Sequence, residues 1–402
     1  MKIKIEKLIR KCPICQNDIG EILYKQKFKL PETHLLSSLY NIVECNKCKF
    51  VFADSSSNQR DYNMFYQNMS KYEDKLTASG GGDTSYDLER LRQTASDIQK
   101  ILPEKNSSIL DIGCGNGGLL CELKKNGFNN LTGLDPSQNC VSNIKEKGIN
   151  AYQGGISSDN YDDESIFLNK KFDFIILSHV FEHIYDLQVA VSNIQKLLNN
   201  NGLLYIEVPD ASRYKDHFIV PYYYFDIEHI NHFDENSLKN LFLKYDFEFI
   251  TYEKKIMKVS NTVNYPAIYL IFQAKKNTGY QITFNSIVRE SIEKYILISK
   301  EKEFSSEIVK LSQIQDEIVI WGAGSFTQRL LSNTELGNCN IIAYIDKDSK
   351  KQGLKINNIE IYPPLVLNKY NCTIIVCSAL FSDEIIQEIK SMNLNNKIIV
   401  IK

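Results

Sequence analysis

The sequence of 402 residues predicts an α/β protein: a doubly wound, mostly parallel sheet, with a small cysteine-containing module before it and a second α/β domain after it. Three observations lead to this prediction. From Ser108 onward, short apolar runs alternate with amphipathic segments, a pattern typical of parallel strands joined by crossover helices. Two of these runs lead directly into glycine-rich turns, and two Cys-x-x-Cys pairs stand near the N-terminus.

Length and composition limit the kind of protein. A chain of 402 residues exceeds one ordinary core, so two or three domains are expected. The net charge of −2 and the lack of a strongly basic segment argue against nucleic acid as a partner. A membrane-spanning helix needs about 18 consecutive apolar residues, and no apolar run in this sequence is close to that length. Residues 1–10 lack the apolar core of a signal peptide. We therefore expect a cytoplasmic protein with reduced thiols and no membrane partner, while the oligomeric state stays open.

Apolar runs and turn signals divide the chain into three parts. We expect the cysteine module and a linker over 1–75, the doubly wound domain over 76–280 and the second α/β domain over 281–402. The parallel strands predicted for the doubly wound domain are 109–112, 131–134, 172–177 and 203–208. Two later runs with no helix between them, 248–253 and 267–273, are predicted to form a terminal antiparallel pair.

Four cysteines near the N-terminus occur as two Cys-x-x-Cys pairs, Cys12 with Cys15 and Cys45 with Cys48. The two thiolates of one pair can reach a single ion, and two pairs complete the tetrahedral four-cysteine set of a structural zinc site. Such a metal would let a small module with little core fold. A redox pair or unrelated cysteines are the alternative, and a nucleic-acid-binding finger is disfavoured because the segment between the pairs is not basic enough.

The strongest signal is the segment around the first glycine turn. An apolar run carries Asp111 near its end, and Gly113, Gly115 and Gly117 then open a helix. Glycines allow a tight turn and a close approach of the main chain to a ligand at the carboxyl end of a strand. The next strand ends at Asp135, where a carboxylate can accept hydrogen bonds from both hydroxyls of a ribose. A dinucleotide site uses similar glycines and is the alternative.

Together these residues resemble motif I and the ribose-binding acid of the class I S-adenosylmethionine-dependent methyltransferases. The resemblance implies the class I fold, with S-adenosylmethionine as the cofactor. Asp111, Gly113, Gly115 and Asp135 carry the resemblance itself. The further cofactor contacts expected at this site are Cys114, Pro136, Gly154 and Ser178.

The strand predicted at 172–177 runs directly into a segment with two histidines, His179 and His183, and Glu182 between them. As His-x-x-Glu-His, the segment also matches an inverted zinc-protease motif, but that motif lies within a helix and this segment follows a strand. It resembles the fourth motif of the methyltransferases, a loop on the catalytic face. His179 is predicted to lie in the pocket, whereas Glu182 and His183 could either support the loop or act chemically.

The loop after the strand predicted at 203–208 contains residues 221–233, which are rich in aromatic and titratable side chains. Loops that follow the carboxyl ends of the strands face the ligand crevice of a doubly wound sheet. Aromatic rings suit a sugar or a planar substrate, and a Glu-His pair suits proton transfer. The alternative is that the tyrosines form the core of a lid and that the histidines only cap a helix beginning near Asp234.

The order of cysteine module, methyltransferase core, Glu-His loop and C-terminal Rossmann-like domain is similar, over most of the chain, to that of the nucleotide-sugar C-methyltransferases. The resemblance implies a nucleotide-sugar substrate and a catalytic base at His229, oriented by Glu228, with His179 nearby. The substrate contacts expected with them are Tyr72, Tyr222, Tyr224, Asp226 and His232. Asp226 and His232 stand where the family usually has an aromatic residue and a tyrosine, so carbon and oxygen both remain as methyl acceptors.

A second strand, glycine turn and helix begin at Ile318, after a helix predicted over 286–313. The turn contains Gly322 and Gly324, and Asp346 ends the next strand, where a Rossmann fold places its ribose-binding acid. Thr327 stands in place of the third glycine, so the dinucleotide fingerprint is incomplete. Binding of the substrate nucleotide, a purely structural domain and a bound NAD are the three alternatives.

The sequence therefore predicts a methyltransferase that transfers a methyl group to a carbon next to the keto group of a nucleotide-sugar. A sugar O-methyltransferase of capsule or lipopolysaccharide biosynthesis shares every cofactor feature and is the first alternative. A non-catalytic, zinc-containing binding protein with a degenerate core is the second, and the intact residues Asp111, Gly113, Gly115 and Asp135 argue against it.

Overall fold

The computed structural model describes residues 5–69, 84–157, 170–260, 263–275, 283–284, 287–302 and 306–401. Within these ranges the strands form three sheets. Among the same residues, no helix has both the length and the apolar character needed to cross a membrane. The predicted substrate contact Tyr72 lies outside the described residues.

The first sheet is antiparallel and has the strand order β1-β2-β3-β4-β10. Its strands are β1 (Ile5–Lys7), β2 (Ile19–Lys27), β3 (Leu39–Cys45), β4 (Val51–Ser55) and β10 (Asn231–His232). The helix α1 (Gln59–Met69) follows β4. The short strand β10 comes from the loop that contains the Glu-His pair, and it pairs His232 with Val51 of β4. The N-terminal sheet is thus completed by a segment far away in the sequence.

A buried arginine joins this sheet to two loops of the central domain. The Arg10 guanidinium donates hydrogen bonds to the main-chain carbonyls of Ile184, Tyr185 and Ile230 and to Asn231 Oδ1, at distances of 3.4, 2.5, 3.2 and 3.0 Å respectively. Burial lowers the pKa of Arg10 to about 10, so the side chain remains charged at neutral pH. Because Ile230 and Asn231 directly follow the Glu-His pair, Arg10 fixes one end of that loop.

The central sheet has the strand order β7-β6-β5-β8-β9-β12-β11. Its strands are β5 (Ile109–Ile112), β6 (Leu131–Asp135), β7 (Asn150–Gln153), β8 (Phe172–Ser178), β9 (Leu198–Pro209), β11 (Phe247–Lys258) and β12 (Asn264–Ala274). The first five are parallel, and β12 lies antiparallel between β9 and β11. The helices of this part are α2 (Ser85–Ile101), α3 (Gly118–Lys125), α4 (Gln138–Glu146), α5 (Leu187–Leu197) and α6 (Glu235–Phe242). The predicted doubly wound sheet with its antiparallel pair is confirmed.

The strand order positions the site. From β5 the chain proceeds to β6 and β7 on one side of the sheet, and β8 then returns to the other side of β5. A ligand crevice forms at such a reversal, outside the carboxyl ends of the strands. Residues of β5 and β8 are buried because both faces of a parallel sheet are covered, which explains their near-continuous apolar sequences.

The third sheet has the strand order β15-β16-β14-β13-β17-β18 and is parallel except for β15. Its strands are β13 (Ile318–Trp321), β14 (Ile341–Ile345), β15 (Lys355–Ile356), β16 (Ile359–Tyr362), β17 (Thr373–Cys377) and β18 (Ile398–Ile401). The helices are α7 (Ile287–Lys302), α8 (Ser306–Ile314), α9 (Ser325–Asn333) and α10 (Ser382–Ser391). Within the described residues, α7 and α8 correspond to the helical stretch predicted over 286–313.

Candidate functional site

A cavity of about 710 Å³ opens at the carboxyl ends of β5, β6 and β8, where the strand order reverses. This volume lies in the range of about 300–1,000 Å³ that is usual for small-molecule sites. All three parts of the chain contribute to its wall, including Gln59 and Arg60 of α1 and Leu380 and Phe381 after β17. The cavity is the candidate active site.

The glycine turn after β5 forms one side of the cavity. Gly113, Gly115 and Gly117 have φ angles of +68°, +51° and +75°, the left-handed region that favours glycine. At Gly113 an added Cβ would lie 2.5 Å from Val180 Cγ2, so a larger residue would also displace the neighbouring loop. The turn therefore brings bare main chain into the cavity wall, as a closely bound ligand requires.

Asp135 lies at the end of β6, beside this turn. Its Oδ2 accepts a hydrogen bond from the Gly115 amide at 2.8 Å, and its Oδ1 accepts one from the Ser137 amide at 2.9 Å. These two bonds fix the plane of the carboxylate. Asp135 lines the cavity, and a carboxylate there is of the type that can accept hydrogen bonds from ribose hydroxyls.

Most of the predicted cofactor contacts line the cavity. They are Gly113, Cys114, Gly115, Asp135, Pro136, Gly154 and Ser178. Asp111 is not part of the wall, since its side chain is buried beneath the glycine turn. Burial, together with the negative charge of Asp135, raises the pKa of Asp111 to about 8, which favours a neutral carboxyl group there at neutral pH.

His179 lies in the wall between two carboxylates. Its Nδ1 is 3.2 Å from Glu182 Oε1, and its Nε2 is 3.3 Å from Glu207 Oε1. Burial by itself lowers the pKa of His179, but the hydrogen bonds and charges of Glu182 and Glu207 outweigh burial and raise it above the usual value. An imidazolium whose two nitrogens both face carboxylates cannot readily accept a proton from a substrate. The arrangement favours an electrostatic and supporting role for His179.

We predict that His179→Gln lowers the free energy of unfolding at about pH 6 and that the loss shrinks towards about pH 9. The folded-state pKa is raised, so the stabilisation is fully present below the unfolded pKa of about 6.5 and is lost as the pH rises through the folded pKa. Denaturant unfolding at both pH values measures the difference. His217, whose pKa is lowered by burial, is the control, because His217→Gln should show the opposite trend. A loss that is independent of pH would contradict the charged state of His179.

A second cluster in the cavity wall contains Glu182, His183 and His229, whose ligand-type atoms lie within 4.8 Å of one another. The rings of His183 and His229 meet edge to face with their centroids 4.9 Å apart. His183 Nδ1 lies 3.0 Å from the main-chain carbonyl of Glu228 and 3.1 Å from the Tyr66 hydroxyl. A carbonyl oxygen only accepts hydrogen bonds, so Nδ1 of His183 carries a hydrogen. The other ring nitrogen, Nε2, lies 3.8 Å from Glu182 Oε1.

This cluster can move a proton. Burial raises the pKa of Glu182, but the hydrogen bond from His179 and the charges of the neighbouring histidines lower it below the usual value, so Glu182 stays ionised. A carboxylate beside two imidazoles stabilises a proton taken up by either ring. His229 is the most exposed member of the cluster, so its ring is the one best placed to meet a ligand. The same three side chains could also hold a divalent cation.

Two of the predicted substrate tyrosines lie in the core. Tyr222 stacks on Tyr24 with the ring centroids 4.4 Å apart, and Tyr224 stacks on Tyr214 at 3.9 Å. Neither lines the cavity, whereas Tyr223 between them does. The loop is irregular, so the sequence cannot show which of three adjacent tyrosines faces the ligand.

The remaining predicted residues of this loop also lie outside the cavity wall. His232 is buried in β10, where burial lowers its pKa to about 3. Asp226 directs its carboxylate to Ser325 of the C-terminal domain. Glu228 is buried, and its main-chain carbonyl makes the contact with His183.

Several cavity residues were not predicted from the sequence. They include Tyr66, Arg90, Tyr223, Lys258, Tyr265 and Phe381. The His-x-x-Glu-His segment contains His183, but no local signal shows that it is the histidine that meets His229. Phe381 follows an ordinary strand of another domain, and nothing in its neighbourhood in the sequence marks it.

The four cysteines of the N-terminal module are close together. Their Sγ atoms lie within 4.8 Å of one another, with Cys12 to Cys48 at 3.4 Å and Cys15 to Cys45 at 3.5 Å. In a tetrahedral zinc site with Zn–S bonds of about 2.3 Å, sulfur atoms are about 3.8 Å apart. The four thiols therefore fit a zinc ion, and none of them lines the cavity.

Comparisons with known proteins found matches to parts of the chain. Residues 86–252 match a family described as a methyltransferase domain, and residues 314–400 match a family described as C2185-like, N-terminal. The ubiquinone biosynthesis O-methyltransferases of Bartonella tribocorum and Bartonella bacilliformis are 34% and 37% identical over 113 and 109 residues, 27% and 26% of this chain. The chain spans 44% and 42% of the length of those relatives. A methyltransferase structure from Methanosarcina mazei is 19% identical, with a TM-score of 0.36, over 45% of this chain and 98% of that one.

Proposed function

We propose that this protein, whose residues 86–252 form a class I methyltransferase domain, is an S-adenosylmethionine-dependent methyltransferase that acts on a nucleotide-sugar. The observation that carries the proposal is one cavity in which the glycine turn and Asp135 lie in the same wall as His229 and His183. S-adenosylmethionine, when bound, supplies an electrophilic methyl group. The main chain from Gly113 to Gly115 and the Asp135 carboxylate would hold its nucleoside part.

The wall beyond the cofactor residues supports a nucleotide-sugar as the second ligand. Arg60, Arg90 and Lys258 are cationic side chains of the wall, which suits a diphosphate group. Tyr223 and Phe381 offer aromatic faces, which suit a base or a sugar ring. The C-terminal domain contributes Phe381, so a ligand that extends past the cofactor would contact both domains.

For methylation at carbon, a base must first remove a proton from the carbon next to a keto group. We assign this step to His229, backed by His183 and the ionised Glu182. The electron pair of the C–H bond moves into the carbonyl as an enolate, and the enolate carbon becomes the nucleophile. The proton stays on the imidazole cluster, where Glu182 offsets its charge.

Oxygen is the second candidate for the methyl acceptor. It is favoured by the names of the two Bartonella relatives, which are O-methyltransferases. His229 would then only deprotonate a hydroxyl group, so the same site residues serve both reactions. Proton NMR of the product distinguishes a methyl group on carbon from a methoxy group.

The spacing of Cys12, Cys15, Cys45 and Cys48 supports a structural zinc ion bound by these four side chains. A closed set of four thiolates leaves no open position for a substrate, so the chemistry of the cavity would not involve this ion.

Calorimetric titration with S-adenosylmethionine tests the cofactor part of the proposal. We expect the wild-type protein to bind, and Asp135→Ala to bind at least about 10-fold more weakly, because hydrogen bonds to a charged group contribute about 1.5–3 kcal/mol. Glu146→Gln removes an exposed carboxylate of α4 outside the cavity and should bind like the wild type. A wild-type protein that does not bind S-adenosylmethionine would refute the proposed activity.

A further inference from the structure

The N-terminus of α9 in the C-terminal domain contacts a side chain from the loop of the active site. Ser325 is the first residue of α9, and its hydroxyl donates a hydrogen bond to Asp226 Oδ2 at 2.6 Å. The same oxygen lies 3.8 Å from Arg329 Nη1, one turn further along the helix. Free amide groups and the helix dipole stabilise an anion at a helix N-terminus. In a dinucleotide-binding turn that anion is a phosphate, and here a carboxylate of the chain lies at this end of the helix.

Asp226 is also joined to His229 through the main chain. Its carbonyl accepts a hydrogen bond from the His229 amide at 3.1 Å. The same carbonyl accepts a hydrogen bond from the Tyr40 hydroxyl at 2.9 Å. Asp226 therefore connects α9 of the C-terminal domain, strand β3 of the N-terminal sheet and the backbone of His229.

The C-terminal part of the chain holds the same loop at a second point. Val220 is 1% exposed and packs within the apolar core of the C-terminal sheet. Its carbonyl accepts a hydrogen bond from the Tyr295 hydroxyl of α7 at 3.2 Å. The Tyr222 amide donates to Ser299 Oγ of the same helix at 3.2 Å. Contacts on both sides of Tyr224 thus come from outside the methyltransferase sheet.

Part of the glycine turn of the C-terminal domain packs against its own chain. At Gly322 an added Cβ would lie 2.4 Å from the Cys377 carbonyl oxygen, so this glycine permits close packing of β13 against β17. The hydroxyl of Thr327, which replaces the third glycine, donates to the carbonyls of Gly322 and Cys377. Asp346 accepts hydrogen bonds from the amides of Ala323 at 2.8 Å and Asp348 at 2.9 Å. Asp346 also accepts a hydrogen bond from a lysine, Lys351 Nζ, at 3.3 Å.

We propose that Asp226 is a positioning residue. Its contacts with Ser325 and Arg329, which we call the Asp226 anchor, connect the C-terminal domain to the loop that carries His229. Through this anchor the C-terminal domain determines the position of His229. In this assignment the turn at Gly322 takes no dinucleotide, because the Asp226 carboxylate already lies at the N-terminus of α9. The consequence of the anchor for catalysis depends on the proposed role of His229 as the base.

The anchor is tested from both of its sides with Asp226→Ala and Ser325→Ala. In protein labelled with ¹³C at histidine Cε1, we expect the resonance of His229, assigned with His229→Gln, to shift in both variants. In the double variant Asp226→Ala/Ser325→Ala, the His229 resonance should shift no further than in Asp226→Ala alone. Ser325→Thr keeps the hydroxyl group, so its His229 resonance should have the wild-type chemical shift. The resonance of His34 and the Kd for S-adenosylmethionine should not change. Glu335→Gln, which removes an exposed carboxylate of the same domain, is the matched control.

Once a substrate has been identified, we expect kcat of Asp226→Ala to be about 100-fold lower than that of the wild type, because a misplaced catalytic group can cause a loss of this size. The KM for S-adenosylmethionine should be unchanged. The resonance requires no turnover, so failure of the anchor and failure of the proposed function are observed separately. A His229 resonance that is the same in wild type, Asp226→Ala and Ser325→Ala would overturn the anchor. Calorimetric binding of NAD⁺ at the C-terminal turn of the wild type would overturn it as well.

Discussion

His229→Ala is expected to lower kcat by about 10²–10⁴-fold, the usual contribution of a general base. The Kd for S-adenosylmethionine should stay at the wild-type value, because His229 belongs to the cluster with Glu182 and His183 and not to the glycine turn or Asp135. Transfer of labelled methyl groups to the substrate measures the first quantity and calorimetry the second. Methyl transfer at an undiminished rate in His229→Ala would contradict its role as the base.

Two controls separate a base from a bound metal ion in the same cluster. If His229 acts as a base, His217→Ala, a change outside the cavity, leaves kcat unchanged. Added divalent cations should neither stimulate the wild type nor restore His229→Ala. If Glu182, His183 and His229 instead hold a catalytic cation, activity will follow the concentration of that cation after mild chelation, and the assignment of His229 as the base will be wrong.

Loss of zinc from the cysteine site is expected to unfold the N-terminal module. Structural zinc in small modules contributes about 10–16 kcal/mol of apparent binding free energy near neutral pH, which is also folding free energy. Cys12→Ser should therefore lower the zinc content, measured by native mass spectrometry, and lower the Tm of the protein. The cavity should be affected too, because α1 lines it and β4 pairs with β10 directly after the Glu-His pair.

Cys339→Ser is the control for this experiment, since Cys339 is a partly buried thiol outside the cysteine cluster. It should retain the zinc content and the Tm of the wild type. A Cys12→Ser protein with one equivalent of zinc and an unchanged Tm would show that the four cysteines do not form the metal site.

The parallel strands were the most predictable part of the fold. The predicted strands at 109–112, 131–134 and 172–177 agree with β5, β6 and β8 to within one residue. Such strands are buried on both faces, so their sequences are continuous apolar runs bounded by polar turns. The N-terminal sheet was not predicted, because its strands carry charged residues and β10 pairs with β4 across a long stretch of sequence.

The candidate site also contains some residues that were predictable from the sequence and others that were not. Gly113 and Asp135 were predictable because a strand, a turn and a helix determine their geometry locally. The protonation state of His179 was not predictable, because one of its two carboxylate partners is Glu207 of β9, which is distant in the sequence. The three tyrosines at 222–224 face different directions in an irregular loop, where no periodicity relates position to exposure. Contacts made by distant segments thus decided which predicted residues reach the cavity.

Carbon methylation of a nucleotide-sugar is tested most directly by an NMR experiment with [methyl-¹³C]S-adenosylmethionine and a panel of nucleoside-diphosphate keto-sugars in D₂O. If the protein methylates carbon, at least one sugar should give a new methyl signal in the region of methyl groups bound to carbon. Carbon methylation also predicts exchange of deuterium into the carbon next to the keto group, and this exchange should be lost in His229→Ala. A product signal in the methoxy region without such exchange would contradict carbon methylation and favour the O-methyltransferase.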